Sequence, residues 1–139
     1  YETSKRRESA VDFEDLQLAA RDLILARPEI LEREQLRFRR ILVDEFQDTN
    51  RLQLSLIEHL RGPQTRLFLV GDEFQSIYGF RHADVDVYRR EHRRFEEAER
   101  SDAVALPLTG NFRADPEILA TTNAIGTGLL DGFEPLRAG

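Results

Sequence analysis

The sequence predicts an α/β fold, a three-layer domain built on a parallel sheet whose strands are joined through helices. Three observations carry this reading. Two compact apolar runs, ILV at 41–43 and RLFLV at 66–70, have the β-rich composition of strands buried on both faces. Segments with apolar residues at helical spacing stand before, between and after these runs, which implies crossover connections and hence parallel strands. Both runs lead into carboxylates, Asp44-Glu45 and Asp72, at the strand ends where ligands bind in such sheets.

From Asp12, the stretch DFEDLQLAARDLILARP puts Phe13, Leu16, Ala20, Leu23 and Ile24 on one helical stripe, with Asp12 as N-cap and Asp15 three residues on. Pro28 ends that helix or opens the next, and residues 28–37 read as a short helix. After the first strand comes a turn at the acidic cluster. Thr49 or Asp48 then caps a helix through Leu52, Leu56, Ile57 and Leu60, which Gly62 and Pro63 stop. The second strand spans 66–72. Beyond a loop, Val85, Tyr88, His92 and Phe95 recur at helical spacing, and AVALPLT at 103–109 is a third strand candidate that Pro107 weakens. Asp115-Pro116 supplies the N-cap and first residue of a helix carrying Ile118, Leu119, Thr122 and Ile125, and Gly126, Gly128 and Gly132 leave the tail loose.

The 139 residues fit one domain with a real core. The chain has no Met and ends at Ala138-Gly139 without an obvious closing element, so a piece of a longer protein is expected; processing would give the same ends. Without cysteine there are no disulfides and no thiolate metal site. The lack of an apolar run near 20 residues, or of a signal-like start, favours a cytoplasmic protein without a membrane role. A net charge of -6 argues against a general positive coat for nucleic acid, so any DNA contact is local. The basic clusters at Lys5 to Arg7, Arg37 to Arg40 and Arg89 to Arg94 are interspersed with acids and read first as solvated faces. His59, His82 and His92 lack metal-ligand spacing.

At the first strand end, Asp44 can hold a hard cation through water while Glu45 orients a nucleophilic water. A capping cluster for the following helix is the competing reading, and it accounts for Asp48 better than for Asp44-Glu45. The segments VDEFQDTN (43–50), VGDEFQSIYGFRHAD (70–84) and LTGNFRADPEIL (108–119) resemble, in order and spacing, motifs II, III and IV of the UvrD/Rep/PcrA-type superfamily 1 DNA helicases. DFEDL at 12–16 is similar to the segment returning from the inserted helical subdomain of those enzymes.

The resemblance implies a partial RecA-like domain of the P-loop NTPase class. Residues 1–110 correspond to the later part of the first RecA-like helicase domain, and residues 111–139 to motif IV and the start of the next. It implies ATP and Mg2+ as cofactors, with Asp44 on Mg2+, Glu45 as the base polarising the attacking water, and Gln75 sensing the γ-phosphate. Arg113 becomes an arginine finger and Phe112 an adenine-stacking ring. Tyr78 and Phe80, two apart on a loop expected to be extended, can stack on unpaired bases, with Arg81 on backbone phosphate or linked to the nucleotide site. Each residue also has an ordinary fate: Arg113 in an ion pair with Asp115, Phe112 and the two loop rings in the core, Gln75 as an exposed amide. Gly79 is expected to give that loop a conformation closed to bulkier residues.

Departures from the family pattern fall at Glu73-Phe74, at Phe80 in place of Trp, and at His82 where Gly is usual. They bear on subfamily, DNA contacts and loop geometry. No GxxGxGK[ST] phosphate loop occurs, nor do motifs V and VI, so the chain alone is expected neither to hydrolyse ATP nor to unwind DNA. The parent is expected to be an ATP-dependent, 3′-to-5′ helicase or translocase acting on single-stranded and duplex DNA in repair or recombination. The alternatives are the motor part of a RecB/AddA-like helicase-nuclease, a truncated non-catalytic DNA- or partner-binding module, and, more weakly, a metal-dependent hydrolase using Asp44, Glu45, Asp48 and Asp72. An exposed edge at the Asp44 strand is expected to promote self-association.

Overall fold

The computed structural model describes residues 1–97 and 103–139, with the side chain of Arg81 outside the described part. The chain divides into two compact units, Tyr1–Glu97 and Ala98–Gly139.

In the first unit a short helix, α1 (Glu2–Glu8), leads into α2 (Phe13–Ala26). Asp12 caps α2 as its sequence predicts, in a reciprocal capping box with Asp15. Lys5 reaches both carboxylates, at 3.0 Å and 2.8 Å. The Asp15 backbone amide, the Tyr1 hydroxyl and the Lys5 ammonium together hold the Asp12 carboxyl well below the usual range. Pro28 opens α3 (Pro28–Arg37), and α2 packs against α3 and against α4 (Arg51–Leu60). The stripe read from the sequence is not the face that α2 buries. Ile24 is buried, but Phe13 is 84% exposed and Leu16 and Leu23 are exposed as well. Besides Ile24, the less exposed residues along the middle of α2 are instead Gln17, Leu18 and Arg21, each half-buried.

Strand β1 (Arg40–Val43) pairs in parallel with β2 (Arg66–Leu69), Leu42 opposite Phe68, across the crossover through α4. The expectation that these strands are buried on both faces is corrected. Ile41, Val43, Leu67 and Leu69 are half-buried on one face, while Leu42 and Phe68 are 70% and 59% exposed on the other. Alternation of side chains across a strand forces this split wherever only one face is covered.

Helix α4 is capped by Asn50 in a box with Gln53, not by Asp48 or Thr49. Those two residues are used up in a 3-10 turn at Phe46–Asp48, and Thr49 closes that turn through its amide to the Phe46 carbonyl. The cap therefore falls on the first free polar residue after the turn. The core lies beneath the strand ends, where Phe46, Leu54 and Val87 are buried and Val43, Leu69 and Tyr88 pack around them. Val87 and Tyr88 come from α5 (Val85–Glu96), whose N-cap Asp84 is held below its usual pKa by the Arg51 guanidinium at 2.8 Å.

In the second unit the expected strand at 103–109 does not form. Residues 103–108 make no ladder; pairing is confined to β3 (Gly110–Asn111) with β4 (Arg137–Ala138), in parallel, the Arg137 amide donating to the Thr109 carbonyl at 2.7 Å. Pro107 cannot donate to a ladder, and the pairing begins only beyond it. Asp115 and Pro116 start α6 (Pro116–Leu129) as predicted, but the tail is not loose. The helix runs through Gly126 and Gly128, and the chain then folds back. A Cβ at Gly126 would stand 2.7 Å from the Phe133 ring, and the Asn123 side chain pairs with both backbone groups of Leu136. No helix among the described residues is long and apolar enough to cross a membrane.

Candidate active site at the strand ends

Asp44 and Glu45 leave the sheet where β1 ends. The parallel pairing is extended past both strands, with the Val70 amide donating to Val43 at 2.9 Å and the Phe46 amide donating to Val70 at 2.8 Å. These bonds bring the end of β1 and the start of the 70–76 loop side by side. Asp44 is exposed, and its Oδ1 accepts from the Glu45 amide at 3.0 Å. Glu45 has φ 50 and ψ 42, a left-handed conformation that is uncommon outside glycine. Such strain persists only where the surroundings enforce it, and here a buried turn follows at once.

Gln47 joins the two strand ends. It is 1% exposed, its Nε2 donates to Glu45 Oε2 at 2.7 Å, and its Oε1 accepts from the Asp72 amide at 3.0 Å. Asp72 in turn caps the 3-10 turn Glu73–Gln75, accepting from the Phe74 amide through Oδ1 and from Gln75 Nε2, at 2.7 Å, through Oδ2. One hydrogen-bonded chain thus runs Glu45, Gln47, Asp72, Gln75. The loop is anchored from behind, since Arg89 holds Glu73 at 2.7 Å and the Tyr88 hydroxyl donates to the Gly71 carbonyl at 3.2 Å. Burial raises the Tyr88 pKa, helped by the nearby Asp72, Glu73 and Glu96 carboxylates, so the phenol stays a neutral donor.

Tyr78 and Phe80 meet, their ring centroids 5.7 Å apart and tilted by 54°, with Phe80 75% exposed. They do so on a 3-10 turn, Gly79–Arg81, and not on an extended loop. Gly79 itself needs no special conformation: positive φ falls instead on His82, at 65°. The Arg81 side chain lies outside the described residues.

Phe112 and Arg113 belong to the second unit. Asn111 Oδ1 accepts from the amides of Arg113 and Ala114, each at 2.9 Å, which folds the segment into a tight turn. Phe112 is 88% exposed and is not a core residue of its unit. Asp115, the partner expected for Arg113, instead caps α6, its Oδ1 accepting from the Glu117 amide at 2.9 Å.

The donor set fits a cation that keeps most of its water. Among the described residues no three His, Cys, Asp or Glu stand together as a cage, and one or two exposed carboxylates are what Mg2+ takes when phosphates and water supply its other ligands. A two-metal hydrolase is poorly served, because both oxygens of Asp72 are engaged within its own loop. Asp48 Oδ1 is buried without a hydrogen-bond partner among the described residues.

Residues 1–96, which hold this whole network, match the UvrD/REP helicase N-terminal domain. The chain belongs to that family. It is 41% identical to DNA helicase II of Escherichia coli K12 over 125 residues, 90% of this chain and 17% of that protein. It is 36% identical to an ATP-dependent helicase/nuclease subunit of Streptococcus pneumoniae (strain ATCC 700669 / Spain 23F-1) over 131 residues, 94% of this chain and 11% of that one. DNA helicase II of Salmonella typhimurium LT2 is 39% identical over 125 residues, again 90% of this chain and 17% of that protein. The chain therefore spans between about a tenth and a sixth of the length of these UvrD-like relatives. Gln47 is the member of the site that sequence reasoning left without a role. Its signal was present, an amide two residues after Glu45, but burial alone distinguishes it from the polar groups around it.

Proposed function

We propose that this chain is the segment of a longer ATP-dependent DNA helicase that carries the hydrolytic carboxylates and couples them to single-stranded DNA. The observation that carries the reading is the Glu45–Gln47–Asp72–Gln75 chain at the carboxyl end of a parallel strand pair, in a member of the UvrD/REP family. In it, Asp44 would hold Mg2+ of MgATP through water, and the bound ion would offset negative charge on the phosphates. Glu45 orients the attacking water and receives its proton. Gln75 reads the γ-phosphate, Arg113 offers a planar cation to its oxygens and Phe112 a stacking face to adenine. Tyr78 and Phe80 offer a sequence-tolerant platform to unpaired bases, with Arg81 beside them.

The same reading assigns residues 1–110 to the first RecA-like domain and 111–139 to the start of the next, with a third layer of the longer protein covering Leu42 and Phe68. Movement in the 3′-to-5′ direction, in repair or recombination, follows from the family resemblance. A helicase-nuclease motor is the second reading, supported by the similarity to the pneumococcal helicase/nuclease protein. The test uses the full-length protein carrying this segment. Glu45→Gln abolishes ATP turnover while MgATP binding persists; full turnover in that variant removes Glu45 as the base.

A further inference from the structure

We infer that Gln47 is the positioning residue of this site, one amide that aims the Glu45 carboxylate with its donor end and fixes the Gln75 loop with its acceptor end. The inference rests on the roles proposed for Glu45 and Gln75. A buried primary amide needs partners for both ends, and those of Gln47 lie on different strand ends. Its orientation is settled by them: the Asp72 amide can only donate, so it meets Oε1, and the Glu45 carboxylate accepts, so it meets Nε2. The backbone carbonyl of Gln47 also accepts from Ser76 Oγ at 3.3 Å, tying the far end of the same loop to the same residue.

The strand opposite is shaped for this amide. A Cβ on Gly71 would come 2.6 Å from Gln47 Oε1 and 3.0 Å from the Tyr88 ring, so glycine leaves the space that Gln47 occupies. A side chain needed only to fill that space could be apolar. An apolar one would strand the Asp72 amide and remove the bond from Gln47 Nε2 that holds the Glu45 carboxylate. Gln47 itself is buried and both hydrogen bonds are part-buried, so displacement at one end is felt at the other. Water activation and phosphate sensing therefore share one mechanical element.

The experiment compares Gln47→Glu and Gln47→Met with wild type in the full-length protein. Gln47→Glu keeps the shape and the acceptor facing Asp72 but can donate to Glu45 only while it holds a proton; assayed at alkaline pH, where the added carboxyl is ionised, its kcat for ATP falls about tenfold or more while KM is unchanged. Gln47→Met loses both ends, so the ratio of DNA-stimulated to basal turnover also drops towards one and amide exchange at residues 72–76 accelerates. Wild-type kcat and stimulation in either folded variant, whatever its melting temperature, overturns the inference. If Gln47→Met does not fold, Gln47→Glu decides by the same split. A wild-type protein without ATPase activity would instead defeat the hydrolytic reading, and the exchange measurement would still decide whether Gln47 fixes the loop.

Discussion

Three non-glycine residues among those described sit in left-handed backbone, and two of them flank the proposed chemistry. Glu45 at φ 50 starts the buried turn that follows β1, and His82 at φ 65 closes the turn carrying Tyr78 and Phe80. His82 stands where the resembled helicases usually have glycine, and its conformation supplies the reason: a side chain there crowds its own backbone. His82→Gly should raise stability by up to about 1 kcal/mol, read as a higher melting temperature, with the entropy of a freer unfolded chain taking back part of the gain. A neutral or destabilising result would mean that the His82 side chain has contacts outweighing its strain. Phe80→Ala should weaken single-strand binding by about 1 to 3 kcal/mol if its exposed ring stacks on bases. Unchanged affinity in a filter or fluorescence titration would assign the Tyr78–Phe80 pair to packing alone.

Helix starts were legible because caps are local. Asp12, Asp84 and Asp115 each accept from an amide two or three residues on, and the sequence places α2 and α6 to the residue at those caps. Asn50 shows how locality fails. Asp48 and Thr49 offer equally good capping chemistry, and only the intervening 3-10 turn, held by the Phe46 amide on Val70, passes the cap to Asn50. Asn50→Ala should therefore cost about 1 kcal/mol in urea unfolding, and Asp48→Ala should not reproduce it through α4 helicity. Equal loss of helix in both would restore Asp48 as a cap. The stripe on α2 failed for a related reason: periodicity finds an apolar face, but which flank meets α3 and α4 is set by where those helices lie.

For the whole molecule, the governing fact is an open sheet. Two parallel strands expose Leu42 and Phe68 on one face and, among the described residues, leave their outer edges unpaired. Short parallel sheets are ordinarily covered on both faces, so association of the isolated chain through this surface is predicted. Sedimentation of the 139 residues should shift with concentration, and Phe68→Lys should suppress the shift. A monodisperse wild-type monomer at high concentration would refute this.

The positions of α2 to α5 and the start of α6, the parallel strand pair, the family and the place of Asp44, Glu45 and Gln75 at or beside strand ends are written in the linear chain, whereas α1 and the continuation of α6 past Gly126 were not anticipated. The legible features follow from short-range periodicity, capping chemistry and linked motifs, each contained within a few residues. Three features exist only once the chain is folded: Gln47 joining the end of its own strand to Asp72, 25 residues on, Gly71 clearing its path, and one face of the sheet standing open. Burial of an amide between segments distant in sequence depends on how the strands are brought together, and no local pattern carries that information.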